Sequence, residues 1–237
     1  MRSILITGAS SGIGRATAQV FLRHGWIVGL VARRADMLRD LAAGRDTAVV
    51  LPADVTDAEA MERAFDTFLG RAGRLDAVFN NAGIFGPAAP IDEISLDDWR
   101  RVMSVNLDGM FITARLAFGH MRRQSPQGGR IINNGSISAH APRENSVCYT
   151  TTKHAITGLT RTLALDGRPF DIACCQIDIG NAESELVAGL KAKNPGMHTM
   201  DVTLAADAVY RMADLPLSAN ILFQTIMATK MPFVGRG

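Results

Sequence analysis

The sequence predicts an α/β protein built on a doubly wound parallel sheet with helices on both faces. Three observations carry that prediction. Several short runs are apolar throughout rather than at alternate positions, as in SILIT (3–7) and WIVGLVA (26–32), which marks strands buried on both faces. Longer helical patterns separate these runs, so the strands are joined by crossovers and lie parallel. No low-complexity linker, internal repeat or shift in composition divides the 237 residues, and the chain reads as one domain.

The elements follow in order. SILIT is the first strand, and residues 12–24 form a helix stopped by Gly25. WIVGLVA is the second strand, followed by a short helix over 35–42. TAVVLPA (47–53) is the third, then a helix over 57–71 capped by Thr56 or Asp57. LDAVFN (75–80) is the fourth, and a long helical region runs to about Arg123. RIINN (130–134) is the fifth strand, 147–165 a helix, and DIACCQID (171–178) the sixth strand. A last apolar run, ANILFQTIM (219–227), closes the sheet. In such a sheet, function belongs at the carboxyl ends of the strands.

Composition excludes several classes. A hydrophobic fraction of 47% and a charged fraction of 20% suit a large buried core. The net charge of +2, with no basic run denser than Arg33-Arg34 or Arg100-Arg101, argues against a nucleic-acid partner. Cys148, Cys174 and Cys175 are odd in number and lack metal-ligand spacing, which implies a reducing compartment without disulfides. The five histidines form no cluster at recognisable spacing, so no metal is expected. The N-terminal apolar run ends at Thr7 and Gly8, too short for a signal-peptide core. No stretch approaches a membrane span. A soluble cytoplasmic protein without membrane partners is expected.

The first strand leads into TGASSGIG (7–14). Gly8, Gly12 and Gly14 permit a tight turn and close approach of backbone to a ligand, and the helix N-terminus presents free N–H groups to a phosphate. The plain alternative is a Gly/Ser-rich connection, but its place directly after the first strand favours dinucleotide binding. The spacing Gly-x-x-x-Gly-x-Gly differs from the commoner Gly-x-Gly-x-x-Gly and lacks the Gly-Lys-Ser/Thr of a Walker loop.

Further motifs stand in order: NNAG (80–83) after the fourth strand, Asn106 in VNLDG, Ser136 in NNGSIS, and Tyr149 with Lys153 in Tyr-x-x-x-Lys. With these residues the chain resembles the short-chain dehydrogenase/reductase family over nearly its whole length. The resemblance implies a Rossmann-type fold, a homodimer or homotetramer formed through the helices holding Asn106 and Tyr149, and hydride transfer between NADP(H) and a small carbonyl or alcohol. It also implies roles. Ser10, Ser11 and Ile13 join the three glycines at the cofactor. Asp54 accepts from the adenine amino group with Val55 nearby, and Asn81, Ala82 and Gly83 run beneath the adenosine ribose. Tyr149 transfers the proton and Ser136 holds the carbonyl oxygen. Lys153 binds the nicotinamide ribose, and Asn106 positions a water that links Lys153 to solvent. One helical turn separates Tyr149 from Lys153, so the ammonium is expected to lower the tyrosine pKa. Each of these residues also has a plainer reading, as core packing, a cap or a solvated side chain.

The second strand ends VARRAD. Ala32 stands where NAD-preferring relatives carry aspartate, and Arg33 follows as in NADP-preferring ones. A forked guanidinium suits the 2′-phosphate. Arg34 either shares that role or belongs to a solvated turn. After the sixth strand, QIDIGNAES places Ile179 where the family has proline, keeps Gly180, and puts Ser184 in the position of a threonine that, with Ala182, meets the nicotinamide. Residues 183–203 read as a substrate lid with a Pro195-Gly196 break. Its Leu186, Val187, Leu190, Met197 and Met200 line a pocket or pack on the core. The loop HAPRENSV (140–147) borders the substrate; its Arg143 and Glu144 either read polar substituents or, more simply, face water. Cys148 reads as packing. The C-terminal segment loosely resembles the subgroup that oxidises 3-hydroxy acids and serine. The reading from another class is a regulatory NADPH-binding protein without turnover, against which the retained Tyr149 and Lys153 count.

Overall fold

The apolar runs become seven strands in the computed structural model, which describes residues 1–194 and 196–234, without the side chains of Leu186, Leu190 and Lys193. These are β1 (Ser3–Thr7), β2 (Ile27–Ala32), β3 (Ala48–Pro52), β4 (Ala77–Asn80), β5 (Gly129–Asn134), β6 (Ile172–Gly180) and β7 (Phe223–Met227). They form one parallel sheet in the order β3-β2-β1-β4-β5-β6-β7. The crossovers carry α1 (Gly12–Arg23), α2 (Ala35–Ala42), α3 (Ala58–Ala72), α4 (Leu96–Met103), α5 (Gly109–Arg123), α6 (Val147–Asp166), α7 (Glu185–Lys193) and α8 (Val202–Asp214). The strand order reverses between β1 and β4, which opens a crevice at their carboxyl ends.

Alternate residues of each strand feed two cores. Ile4, Ile6, Val28, Leu30, Phe79 and Ile177 pack with Phe21 of α1 and Val209 and Met212 of α8. Leu5, Val31, Val78 and Ile131 face the other side, against Phe65 and Phe68 of α3 and Met121 of α5. Both phenylalanines of α3 are fully buried, and each such side chain stabilises the fold by about 1.5–3 kcal/mol. Burial on both faces explains why these strands read as unbroken apolar runs.

Several expectations are sharpened and some are corrected. Asp57, not Thr56, caps α3, accepting from the Ala60 N–H at 3.0 Å. The long helical region is two helices joined by a π turn over Ser104–Asp108. The final strand is confined to Phe223–Met227. Between the expected lid and that strand stands α8, a helix the sequence pattern does not announce, which takes Val202 and Thr203 from the expected lid. Arg130, whose side chain is fully buried at the start of β5, ties this late helix down. It donates to the carbonyls of Met212 and Leu215, acceptors that the helix end leaves open, and to those of Pro216 and Ala219 in the loop that follows. No described helix is long and apolar enough to cross a membrane.

Candidate active site

The loop from β1 to α1 passes through left-handed backbone at Gly8 (φ 68°) and Gly12 (φ 51°), which only glycine adopts freely. Gly14 has a different reason: a Cβ there would lie 2.3 Å from the Gly8 carbonyl oxygen. The first turn of α1 carries no acidic side chain, and the Ser11 side chain at its N-cap makes no capping bond to the helix. Its N–H groups therefore remain available to an anion. The cleft beside them, of about 340 Å³, is lined by Gly8, Ser10, Ser11, Gly12 and Ile13, while Gly14, which does not line it, lies against Gly8 and Asn81.

The same cleft is walled by the ends of β2 and β3. Arg34 donates to the Ser11 hydroxyl at 2.7 Å and the Ser10 hydroxyl at 3.1 Å, and lies 3.6 Å from the Glu185 carboxylate. Arg33 lies 3.7 Å from Asp54, whose other oxygen accepts from the Thr56 N–H and hydroxyl. Both arginines, Asp54, Val55 and buried Ala32 line the cleft. The floor continues through Asn81, Ala82 and Gly83. Thr7 holds that floor, its hydroxyl oxygen accepting from the Asn81 and Ala82 N–H groups at 2.9 and 3.0 Å.

Beyond the floor lies a smaller chamber of about 90 Å³ that brings together Ser136, Tyr149, Lys153, Gly180, Ala182 and Ser184. Ser136 follows β5, Tyr149 and Lys153 share one face of α6, and Gly180 ends β6. A Cβ on Gly180 would meet Met227 and Met231 within 3 Å. Ile179, lacking the ring of the family's proline, lets the ladder with β7 run on to the pairing of Gly180 with Met227. Lys153 is 3% exposed; its ammonium donates to the Asn134 carbonyl at 2.7 Å and stands 5.4 Å from the Tyr149 ring centre. Burial draws its pKa down to about 8, with the Asp178 charge opposing. For Tyr149 the expected direction is reversed. Burial pushes the phenol above its usual value, outweighing the Ser136 hydroxyl and the Arg143 charge, while Asp178 adds to the rise. A lysine that is itself desolvated and held by a carbonyl does not offset that burial.

Asn106 lies one layer behind the chamber. Its side-chain oxygen accepts from the Ile84 N–H at 2.8 Å, and its amide donates to the Ile84 carbonyl and the Thr152 hydroxyl. It sits in the π turn and is buried, so it fixes the loop after Gly83 against α6.

Sequence reasoning missed several residues. Asp178 of β6 is buried and accepts from the Ser136 N–H at 2.9 Å, Gln176 at 2.7 Å and His140 at 2.7 Å. Asn134 donates to Asn81, and its own side-chain oxygen is buried with no partner among the described residues. Phe85 packs edge-on to Tyr149 at 4.9 Å. Only QIDIG hinted at Asp178, as a charge inside an apolar strand.

The segment 183–203, expected to be a lid, brings the Cβ of Ser184 to 3.1 Å from where a Cβ on Gly12 would lie. Its return segment is fastened to the end of β6: the Glu183 N–H donates to the Met200 carbonyl, and the Met200 N–H to the Asn181 carbonyl. Met200 is buried in the core and Val187 lines the chamber. Pro195 and the side chains of Leu186 and Leu190 lie outside the described residues. Cys148 is buried and packs near Gly86.

Comparison with known proteins bears on the family and the fold. A family model described as short chain dehydrogenase matches residues 2–195. Trans-4-hydroxycyclohexanecarboxylate dehydrogenase of Sinomonas cyclohexanicum is 34% identical over 197 residues, covering 79% of this chain and 74% of its own. Serine 3-dehydrogenase of Agrobacterium fabrum is 30% identical over 242 residues, covering 98% and 96%. In fold, the chain matches a closed form of serine dehydrogenase complexed with NADP+ at a TM-score of 0.92, with 22% identity and coverage of 99% and 98%.

Proposed function

The chain belongs to the short-chain dehydrogenase/reductase family, and from that premise we propose an NADP(H)-dependent enzyme that interconverts a small carbonyl compound and its alcohol. One observation carries the reading: Ser136, Tyr149 and Lys153 meet in a chamber that continues the cleft beside the glycine loop. The residues present fit a dinucleotide. The uncapped, acid-free start of α1 suits its phosphates, and the unpartnered Asn134 oxygen can accept from a ribose hydroxyl. β2 ends without a carboxylate, leaving Arg33 and Arg34 for a 2′-phosphate. Asp54 and Val55 flank the adenine, Asn81, Ala82 and Gly83 the adenosine ribose, and Gly180, Ala182 and Ser184 the nicotinamide. When bound, the nicotinamide supplies the hydride chemistry.

The protein supplies protons and orientation. The Tyr149 phenol, held protonated at neutral pH by its raised pKa, gives its proton to the carbonyl oxygen in reduction and recovers it in oxidation. The Ser136 hydroxyl donates to the same oxygen as charge develops. Lys153 holds ribose hydroxyls, and Asn106 acts through Ile84 and Thr152 as a positioning residue beside the proton route. Association into dimers or tetramers through α5 and α6 belongs to the same reading. Phe111 on α5 and Leu165 on α6 are 54% and 57% exposed, as apolar groups at an interface would be in a single chain.

The test is a screen of ketones and alcohols with each nucleotide. NADP should be preferred, and Arg33→Ala should lower efficiency with NADP about tenfold or more, the worth of a charge-assisted contact. A preference for NAD that survives this substitution would refute the cofactor assignment. Nucleotide binding without turnover of any substrate would point instead to a regulatory protein.

A further inference from the structure

Arg143 is half-buried in the loop before α6 and lines the 90 Å³ chamber. Its guanidinium carbon lies 5.3 Å from the centre of the Phe85 ring and 5.9 Å from that of Tyr149. The Arg143 carbonyl accepts from the Ser146 hydroxyl at 2.7 Å, and Ser146 in turn pairs with the Thr150 hydroxyl at 2.8 Å, which anchors the loop to α6. The three other arginines that line the site pair with carboxylates, Arg33 with Asp54, Arg34 with Glu185 and Arg101 with Asp98. Arg143 forms no ion pair among the described residues. The buried acid behind Ser136, Asp178, is already engaged by Ser136, Gln176 and His140, and the neighbouring Glu144 is exposed.

We propose that the Arg143 guanidinium receives a carboxylate of the substrate, so that the preferred substrates are short hydroxy acids and oxo acids. This rests on the oxidoreductase reading above and names its substrate class. A guanidinium set beside aromatic rings keeps its N–H edge free for two parallel hydrogen bonds to a carboxylate. Its positive charge already favours the phenolate of Tyr149, so its field reaches the place where the reacting oxygen must lie. Two cations, Arg143 and Lys153, line the chamber and no carboxylate among the described residues does, so the net field attracts an anion. A volume of about 90 Å³ suits a carboxylate a few bonds from the carbinol.

The experiment has a turnover arm and a binding arm, both on the NADP+-loaded protein. In the first, short hydroxy acids are compared with their methyl esters. The acids should be favoured in kcat/KM by about 10- to 100-fold, as for a charge-assisted pair, and Arg143→Met should collapse that ratio towards one, chiefly through KM. In the second, calorimetry follows butyrate, butyramide and a small phosphate monoester. Butyrate should bind, butyramide should not, and Arg143→Met should abolish the difference. Equal handling of acids and esters, or equal weak binding of butyrate and butyramide, overturns the carboxylate site and leaves the oxidoreductase reading standing. Tighter binding of the phosphate monoester also overturns it. Arg143-dependent butyrate binding with no turnover of any alcohol supports the site and refutes the proposed function.

Discussion

Replacing Lys153 by methionine should inactivate the protein and yet stabilise it at neutral pH. Lys153 is 3% exposed, and burial lowers its pKa from 10.5 to about 8. That fall is equivalent to about 3 kcal/mol at about 1.4 kcal/mol per pH unit. The lysine is protonated in both folded and unfolded chains below pH 8, and the cost of burying the charge is then present in full. Between about 8 and 10.5 the folded chain alone releases its proton, so stability rises with pH; above that range both states are neutral and the cost is gone. Methionine fills similar space without the charge, but leaves the Asn134 carbonyl, now bonded at 2.7 Å, without its donor, at about 1–2 kcal/mol. The variant should therefore be about 1–2 kcal/mol more stable than the parent at pH 7, or about 2–8 °C in Tm for a chain of this size. The difference should shrink and change sign by about pH 10. Urea unfolding of the nucleotide-free protein at pH 7, 8.5 and 10 measures it. A variant less stable at pH 7 by an amount independent of pH would refute the claim that a buried charge is being carried.

Three other outcomes follow from the same geometry. Tyr149→Phe should lower kcat by about 10²–10⁴-fold, as for loss of a general acid, while NADPH binding measured by fluorescence stays within about threefold; near-normal turnover would remove Tyr149 from the chemistry. Asp178→Ala strips the acceptor from Ser136, Gln176 and His140, so Tm should fall by an amount equivalent to about 3 kcal/mol and kcat should drop more than KM rises; a loss below about 1 kcal/mol would mean these donors find other partners. Gly14→Ala forces a methyl to 2.3 Å from the Gly8 carbonyl and should cost at least about 2 kcal/mol together with nucleotide binding; a stable variant with unchanged affinity would show that the loop is not the cradle.

Much of the site was legible because it is written in local pattern. Glycines at 8, 12 and 14 directly after an apolar run declared a turn that side chains would block, and two of the three adopt positive φ. Tyr149 and Lys153 at i and i+4 had to share a helical face. The carboxyl ends of β1, β4, β5 and β6 gather the motifs because parallel strands all point one way. Arg143 was the harder case: adjacent charges in a polar loop look like solvated residues, and only the fold turned one of them towards Phe85 and Tyr149 while leaving the other exposed. The helix α8 was equally hidden, since its stability comes from packing across the sheet and from Arg130 more than 80 residues earlier.

The sequence by itself therefore determined the strand runs, the order of the motifs and the residue types available for binding and proton transfer, because periodicity and spacing are properties of neighbouring residues. The tertiary structure alone decided the electrostatics. Whether Tyr149 is lowered by Lys153 or raised by burial depends on how much water the surrounding elements exclude. That Asp178 accepts from the Ser136 N–H, and that Arg143 is left without an acidic partner among the described residues, depends on residues distant in the chain meeting at the end of one sheet.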